Sequence, residues 1–351
     1  MRWLSRKTLP LAILTAITAF PLAVRATGAA GLDDPFEGSA KAGDDDVPSI
    51  ERRTPSWFHR PAKDSPAEQL ALADRLRAEG SRRRARSAYR ALSHKWNDSD
   101  EAVRGQMAYA ELFEEQGKWL RAFDEYQYLV AFYVGRFPFD TVLDRQEALA
   151  EKVVSMLHGR FLVLPGWEDP VYAVPLFETL LANAPRSARA PAWQYRIGEI
   201  QEGDEELEKA ILAYERASSR YPESPVAEKA AVRRAMCLYQ VALRRDARSE
   251  RALQEAIGAF EALIESYPRS RTAEDTRPRM EEMVDRLAEL YYGRAFYYDY
   301  TVKRPTSACL AYLEFLKLFP TSAHVAEASA RVEILRKEKP TDEADKSKAS
   351  N

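Results

Sequence analysis

A chain of 351 residues is long enough for two compact domains or for one elongated repeat array. Its 52 basic and 54 acidic side chains leave a net charge of −2, which argues against nucleic acid as the ligand, because phosphate neutralisation leaves a strongly basic footprint. Only two cysteines occur, Cys237 and Cys309, in separate helical segments; isolated buried thiols are expected, with a pairing of the two as the alternative.

Residues 1–30 have the order of a secretory signal: Arg2, Arg6 and Lys7, then the apolar run Leu9 to Val24, then small residues at Ala26, Gly28, Ala29 and Ala30. Pro10 and Pro21 interrupt that run and leave it short for a bilayer span, so export with removal is expected, with a retained anchor as the alternative. No cysteine stands where a lipoprotein would be acylated. Residues 31–66 are rich in Asp, Gly, Pro, Ser and Arg and read as a flexible linker, because such a composition buries too little apolar surface to offset chain entropy. Trp57 and Phe58 are its exceptions, and docking on the folded part or on a partner both stay open.

From Ala67 to Lys337 apolar residues recur at spacings of three and four, with Gly and Pro at helix-breaking intervals and no alternating strand pattern. A four-residue signature repeats here. Ala173, Phe177, Pro185 and Ser187 are matched in spacing by Ala210, Tyr214, Pro222 and Ser224, by Ala256, Phe260, Pro268 and Ser270, and by Ala308, Tyr312, Pro320 and Ser322. A degenerate copy lies at Ala85, Tyr89, Asn97 and Ser99, and Ala122 with Tyr126 lacks the punctuation. The alanine lets two helices approach, the aromatic one turn later fills the same face, proline stops the helix, and the serine is expected to cap the next one.

These spacings resemble the tetratricopeptide repeat, and "AWQYRIGEIQEGDEELEKAILAYERASSRYPES", 192–224, is the clearest copy. The fold class is therefore all-α: a tetratricopeptide-like helical-hairpin solenoid of about six hairpins and a C-terminal helix from roughly Ser322 to Lys337, followed by a disordered tail at 338–351. Between Tyr126 and Phe177 the spacing is irregular. Phe139 to Phe161 is expected as one helix and Tyr172 to Asn183 as its partner, with Leu162, Val163, Leu164 and Trp167 in the connector.

Toward the C-terminus, "DRLAELYYGRAFYYDY", 285–300, followed by "ACLAYLEFLKLFPTS", is similar to the last repeats of the BamD family of outer-membrane assembly factors. Leu287-Ala288, Ala295, Tyr297-Tyr298, Ala308, Phe319-Pro320 and Ser322 stand in that family's places. The resemblance implies a non-catalytic periplasmic scaffold, peripheral to the outer membrane and associated with it through partners. Those partners would be a BamA-like assembly subunit at the C-terminal repeats and unfolded outer-membrane clients at the N-terminal ones. The alternative is a periplasmic adaptor of cell-envelope or peptidoglycan machinery, similar to the Tol-Pal coordinator family.

Chemistry-bearing motifs are scarce. His59, His94, His158 and His324 are scattered, no phosphate loop or nucleophile elbow occurs, and the expectation is no enzyme, no cofactor and no metal. Helical register instead nominates partner-binding residues. Counting twelve residues back from Ala122 and Ala210 reaches Ala110 and Gly198, close-packed points of the first helices, whose neighbours on a concave side would be Arg104, Glu111, Glu114, Tyr195, Glu199 and Glu202. Tyr292 and Tyr300 join them from an aromatic run that goes around its helix and so has a face left over after packing.

Overall fold

A computed structural model describes residues 51–156, 170–244 and 249–338. The predicted signal segment, residues 31–50 of the linker, the connector at 157–169 and the tail beyond Glu338 lie outside the described residues.

Fourteen α-helices and no strand occur among the described residues. They pair as α1 (Pro66–Ala78) with α2 (Arg82–Lys95), α3 (Asp100–Glu114) with α4 (Trp119–Phe132), and α5 (Phe139–Met156) with α6 (Val174–Asn183). The series continues with α7 (Ala190–Gly203) and α8 (Leu207–Arg220), α9 (Ala227–Arg244) and α10 (Glu250–Ser266), and α12 (Arg277–Phe296) with α13 (Pro305–Leu318). A single turn, α11 (Arg271–Glu274), sits before the last hairpin, and α14 (Val325–Glu338) closes the stack. Each long helix packs on the next in chain order, which gives the expected six hairpins and final helix.

The repeated alanine and aromatic pair lies where its chemistry requires. Ala85 with Tyr89, Ala122 with Tyr126, Ala173 with Phe177, Ala210 with Tyr214, Ala256 with Phe260, and Ala308 with Tyr312 are all fully buried. All but Ala173 fall in the second helix of a hairpin; Ala173 ends a 3-10 turn, Pro170–Ala173, so α6 begins later than Tyr172. On the opposing helix Ala110 is fully buried, and a Cβ on Gly198 would stand 2.6 Å from the Tyr214 ring. The two helices are thus as close as a missing methyl allows.

Helix termination is more general than the proline signature. Ala184, Tyr221, Tyr267 and Phe319, which precede Pro185, Pro222, Pro268 and Pro320, leave the helical region, as a residue before proline is pushed to do. Trp96 and Tyr133 end α2 and α4 in nearly the same conformation without a following proline. An aromatic in that position recurs in five of the six hairpins, Ala184 being the exception. The serine expectation holds at Ser270 and Ser99, whose hydroxyls accept from the amides of Ala273 and Ala102 at 3.1 Å. It is corrected at Ser187, Ser224 and Ser322. Those hydroxyls accept from the amide only two residues on, so they shape the turn before the helix and leave its first amides to other partners.

In the first, second, fourth and sixth hairpins, whose turns are described throughout, one turn residue has positive φ. Gly80 and Gly117 supply it in the first two hairpins, while Glu205 (φ 63°) and Lys303 (φ 55°) do so in the fourth and sixth. The following amides of Ser81, Lys118 and Glu206 return to Leu76, Phe113 and Gln201, the wide closing bond of a helix ending on a left-handed residue. A second internal repeat is polar. Gln69, Gln106 and Gln194 each donate across their hairpin to the carbonyl nineteen residues later, of Ala88, Glu125 and Ala213. Successive hairpins 2 and 3 are joined by a node in which Gln127 accepts from Gln146 at 2.9 Å and from Asn183 at 2.7 Å.

Buried apolar side chains form one cluster drawn mainly from α1 to α7 and another from α9 to α14. A smaller cluster of Leu207, Ala210, Tyr214, Ala217, Ala230 and Cys237 lies between them at α8 and α9. Cys237 and Cys309 are free and buried, and burial pushes the Cys237 thiol up to about 12.

Candidate protein-binding surface

The first helices of successive hairpins are cross-linked by ion pairs. Arg77 of α1 pairs with Glu111 of α3 at 2.9 Å and with Glu115 just beyond it. Arg145 of α5 reaches back to Glu114 at 3.0 Å and to Glu111 at 3.6 Å. Glu151 of α5 pairs with Arg196 of α7 at 2.9 Å, and Arg196 also holds Glu199 at 3.0 Å. Glu202 of α7 takes Arg233 of α9 at 3.2 Å. Each partly exposed pair contributes only about 0–1 kcal/mol, so this ladder orders side chains between hairpins more than it stabilises the stack.

The nominated residues fall into three situations. Glu111, Glu114, Glu199 and Glu202 are brought together in twos, but within the ladder; Glu114 and Glu202 also accept the hydroxyls of Tyr126 and Tyr214. Tyr195 rests against the Tyr214 ring with centroids 5.3 Å apart, and Tyr292 packs on Tyr312 and Phe315 and stacks on His324 at 4.1 Å. Arg104 and Tyr300 are exposed, Arg104 on α3 outside these pairs and Tyr300 just after α12.

Tyr300 belongs to a π-helical turn, Tyr297–Thr301, that continues α12. Arg331 of α14 grips the buried Asp299 carboxylate with two hydrogen bonds of 2.5 and 2.8 Å and so fixes this turn. The grip turns Phe296, Tyr297 and Tyr300 outward at 43%, 54% and 53% exposure, with Phe296 stacked on Tyr300 at 4.4 Å. π-turns of this kind are frequent at functional sites.

Sequence reasoning missed Arg53, whose guanidinium makes three hydrogen bonds. Residues 51–65, read from composition as flexible linker, are instead a strap laid against α2, α3 and α4, and this corrects the linker reading from residue 51 onward. Arg53 donates to Gln106 at 2.7 Å, to Ser93 at 3.1 Å and to Glu125, while its guanidinium lies 4.4 Å from the Tyr128 ring centre and 5.6 Å from that of Tyr109. His59 of the strap stacks on His94 of α2, ring centroids 4.2 Å apart and 7° from parallel. The one signal in the sequence was Pro55, since a residue before proline, here Thr54, is biased toward extended backbone.

Fold and surface together define a tetratricopeptide-type helical-hairpin repeat protein. Residues 168–349, just over half of the chain, match the model of the family described as "YfiO: Outer membrane lipoprotein", and the chain belongs to that family. Curated relatives agree: outer membrane protein assembly factor BamD of Neisseria gonorrhoeae is 32% identical over 135 residues, covering 36% of this chain and 51% of that protein. The same factor of Neisseria meningitidis serogroup B is 31% identical over 135 residues, with the same coverage. The chain thus spans about half the length of the curated relatives it matches. The crystal structure of MamA protein is similar at 18% identity, covering 58% of this chain and 92% of that one, with a TM-score of 0.28. Neither cysteine of this chain is placed to carry a lipid, since both are buried within helices α9 and α13. Among the described residues no helix is long and apolar enough to cross a membrane.

Proposed function

We propose that this protein is a non-catalytic scaffold of outer-membrane β-barrel protein assembly, working on the periplasmic side and held at the outer membrane through its partners. The observation that carries this reading is the family match over residues 168–349, which runs from the third hairpin through α14. On this reading the C-terminal hairpins dock on a BamA-like membrane-embedded subunit, and the exposed Phe296, Tyr297 and Tyr300 are the anchors, aromatic side chains being the residues that dominate binding energy in interfaces. The N-terminal hairpins receive unfolded clients, with Arg104 available for contact and the Glu111, Glu114, Glu199 and Glu202 ladder setting the spacing between hairpins.

Affinity capture of the tagged chain from crosslinked envelopes tests it. The expected result is recovery of an outer-membrane barrel-assembly subunit, reduced at least about tenfold by Tyr297→Ala with Tyr300→Ala, since each interface anchor is worth roughly 1–2 kcal/mol or more. Recovery of envelope-division or peptidoglycan proteins alone sinks the proposal.

A further inference from the structure

We infer that the pocket filled by Arg53 is a recognition site for an extended, arginine-bearing segment of a partner protein, and that residues 52–54 occupy it as an internal stand-in. The pocket reads both parts of such a ligand. Its floor is built for a guanidinium: acceptors from Ser93, Gln106 and Glu125, with the rings of Tyr109 and Tyr128 beside it. Its rim is built for main chain of any sequence. The Tyr128 hydroxyl accepts from the Arg53 amide at 3.1 Å, the Asn97 amide group donates to the Arg53 carbonyl at 3.1 Å, and His94 Nδ1 donates to the Thr54 carbonyl at 2.7 Å.

Two further observations set this apart from an ordinary structural tether. Glu51, Thr54 and Pro55 around Arg53 are exposed, and Trp57 is 69% exposed, so the strap lends little apolar surface to the core at this point. Gln106 and Glu125 are oriented independently of the strap, because Gln106 donates to the Glu125 carbonyl at 3.0 Å and to the Glu125 carboxylate at 2.7 Å within the α3 and α4 hairpin. A polar pocket filled by an exposed, covalently linked segment is an exchangeable arrangement: a free ligand must outcompete an occupant whose tether holds it at about millimolar effective concentration. The site does not depend on the assembly role proposed above and stands if that role fails.

The probe is a fluorescein-labelled peptide of residues 49–60, SIERRTPSWFHR, and its version with alanine in place of Arg53, titrated against the full chain by anisotropy. The expected result is saturable binding to the Arg53→Ala chain, at least about tenfold tighter than to the unsubstituted chain, where the strap competes. Binding is expected to be lost with the alanine peptide and with the chain carrying both Arg53→Ala and Glu125→Gln. No saturable binding to an Arg53→Ala chain of unchanged helical circular dichroism overturns the inference, as does equal binding of the two peptides. Hydrogen exchange on the unsubstituted chain guards against a variant that fails to fold: excess peptide is expected to speed exchange across residues 51–60, and no change overturns the inference. Self-association of the unsubstituted chain that Glu125→Gln abolishes assigns the pocket to a second copy of this chain and overturns the partner reading.

Discussion

The Tyr214 hydroxyl donates to the Glu202 carboxylate at 2.7 Å, across the hairpin from the second helix to the first, and Tyr126 does the same to Glu114 at 3.1 Å with the same twelve-residue separation. The repeat's marker aromatic therefore does two jobs where it is tyrosine: the ring packs and the hydroxyl orients a carboxylate of the ladder. Tyr214→Phe is expected to destabilise by about 1.5 kcal/mol, the low end for a hydrogen bond to a charged group because Glu202 keeps Arg233. Tyr126→Phe is expected to cost less, because Glu114 retains Arg145 and Lys152. Urea unfolding of both variants checks the order, and the reverse order refutes this account of the carboxylates.

Gly198 is the tightest contact of the fourth hairpin. A Cβ there would meet three atoms of the Tyr214 ring at 2.6, 2.7 and 2.9 Å, and that ring is fully buried. Gly198→Ala is expected to lose about 1–3 kcal/mol despite alanine's better helix propensity, as overpacking does in a filled core. A variant as stable as the parent in thermal unfolding would mean that the ring can move aside.

Lys303 and Glu205 hold a left-handed conformation that glycine adopts freely in the equivalent turns at Gly80 and Gly117. Lys303→Gly is expected to stabilise by up to about 1 kcal/mol, and Gly117→Ala to destabilise by a similar amount. Midpoints of chemical denaturation measure both; a destabilised Lys303→Gly variant contradicts the turn argument.

The strap carries a pH dependence. Burial, together with nearby Arg90, Arg53 and the neighbouring ring, holds His59 below the usual imidazole value, and burial does the same to His94 against the opposing pull of the Thr54 carbonyl and Glu125. The neutral rings are thus the docked form. Docking is at full strength above the undocked value of 6.5 and weakens as pH falls below it through the lowered docked values. Hydrogen exchange of residues 51–60, corrected for intrinsic rates, is expected to show protection constant above pH 6.5 and falling as pH drops below it, and His94→Asn to flatten that change. Protection that rises toward acid pH would reverse the sign and defeat the argument.

The hairpin count was legible in the sequence because spacing within a helix is local physics: Ala210 and Tyr214 lie one turn apart whatever surrounds them, and Gly198 faces them because both helices have the same pitch. What the spacing could not carry was the destination of a charged side chain. Glu111 and Glu199 were placed on the right helices, yet their pairing with Arg77 and Arg196 depends on how neighbouring hairpins abut, which no single-helix period encodes. Arg53 was hidden for a different reason. Composition marks its segment as polar and therefore free, whereas its docking comes from hydrogen bonds to groups forty to seventy-five residues away.

Hairpins that touch only their neighbours form a chain of joints in series. The small cluster at α8, where Tyr214, Ala217 and Cys237 meet between the two larger clusters, is one such joint. A pull applied between the strap and the aromatic turn after α12 passes through it, with the Glu202–Arg233 pair of α7 and α9 alongside. The packing of Tyr214 against Gly198 is thus part of the load path between the two ends of the stack, although neither residue lies on an exposed surface.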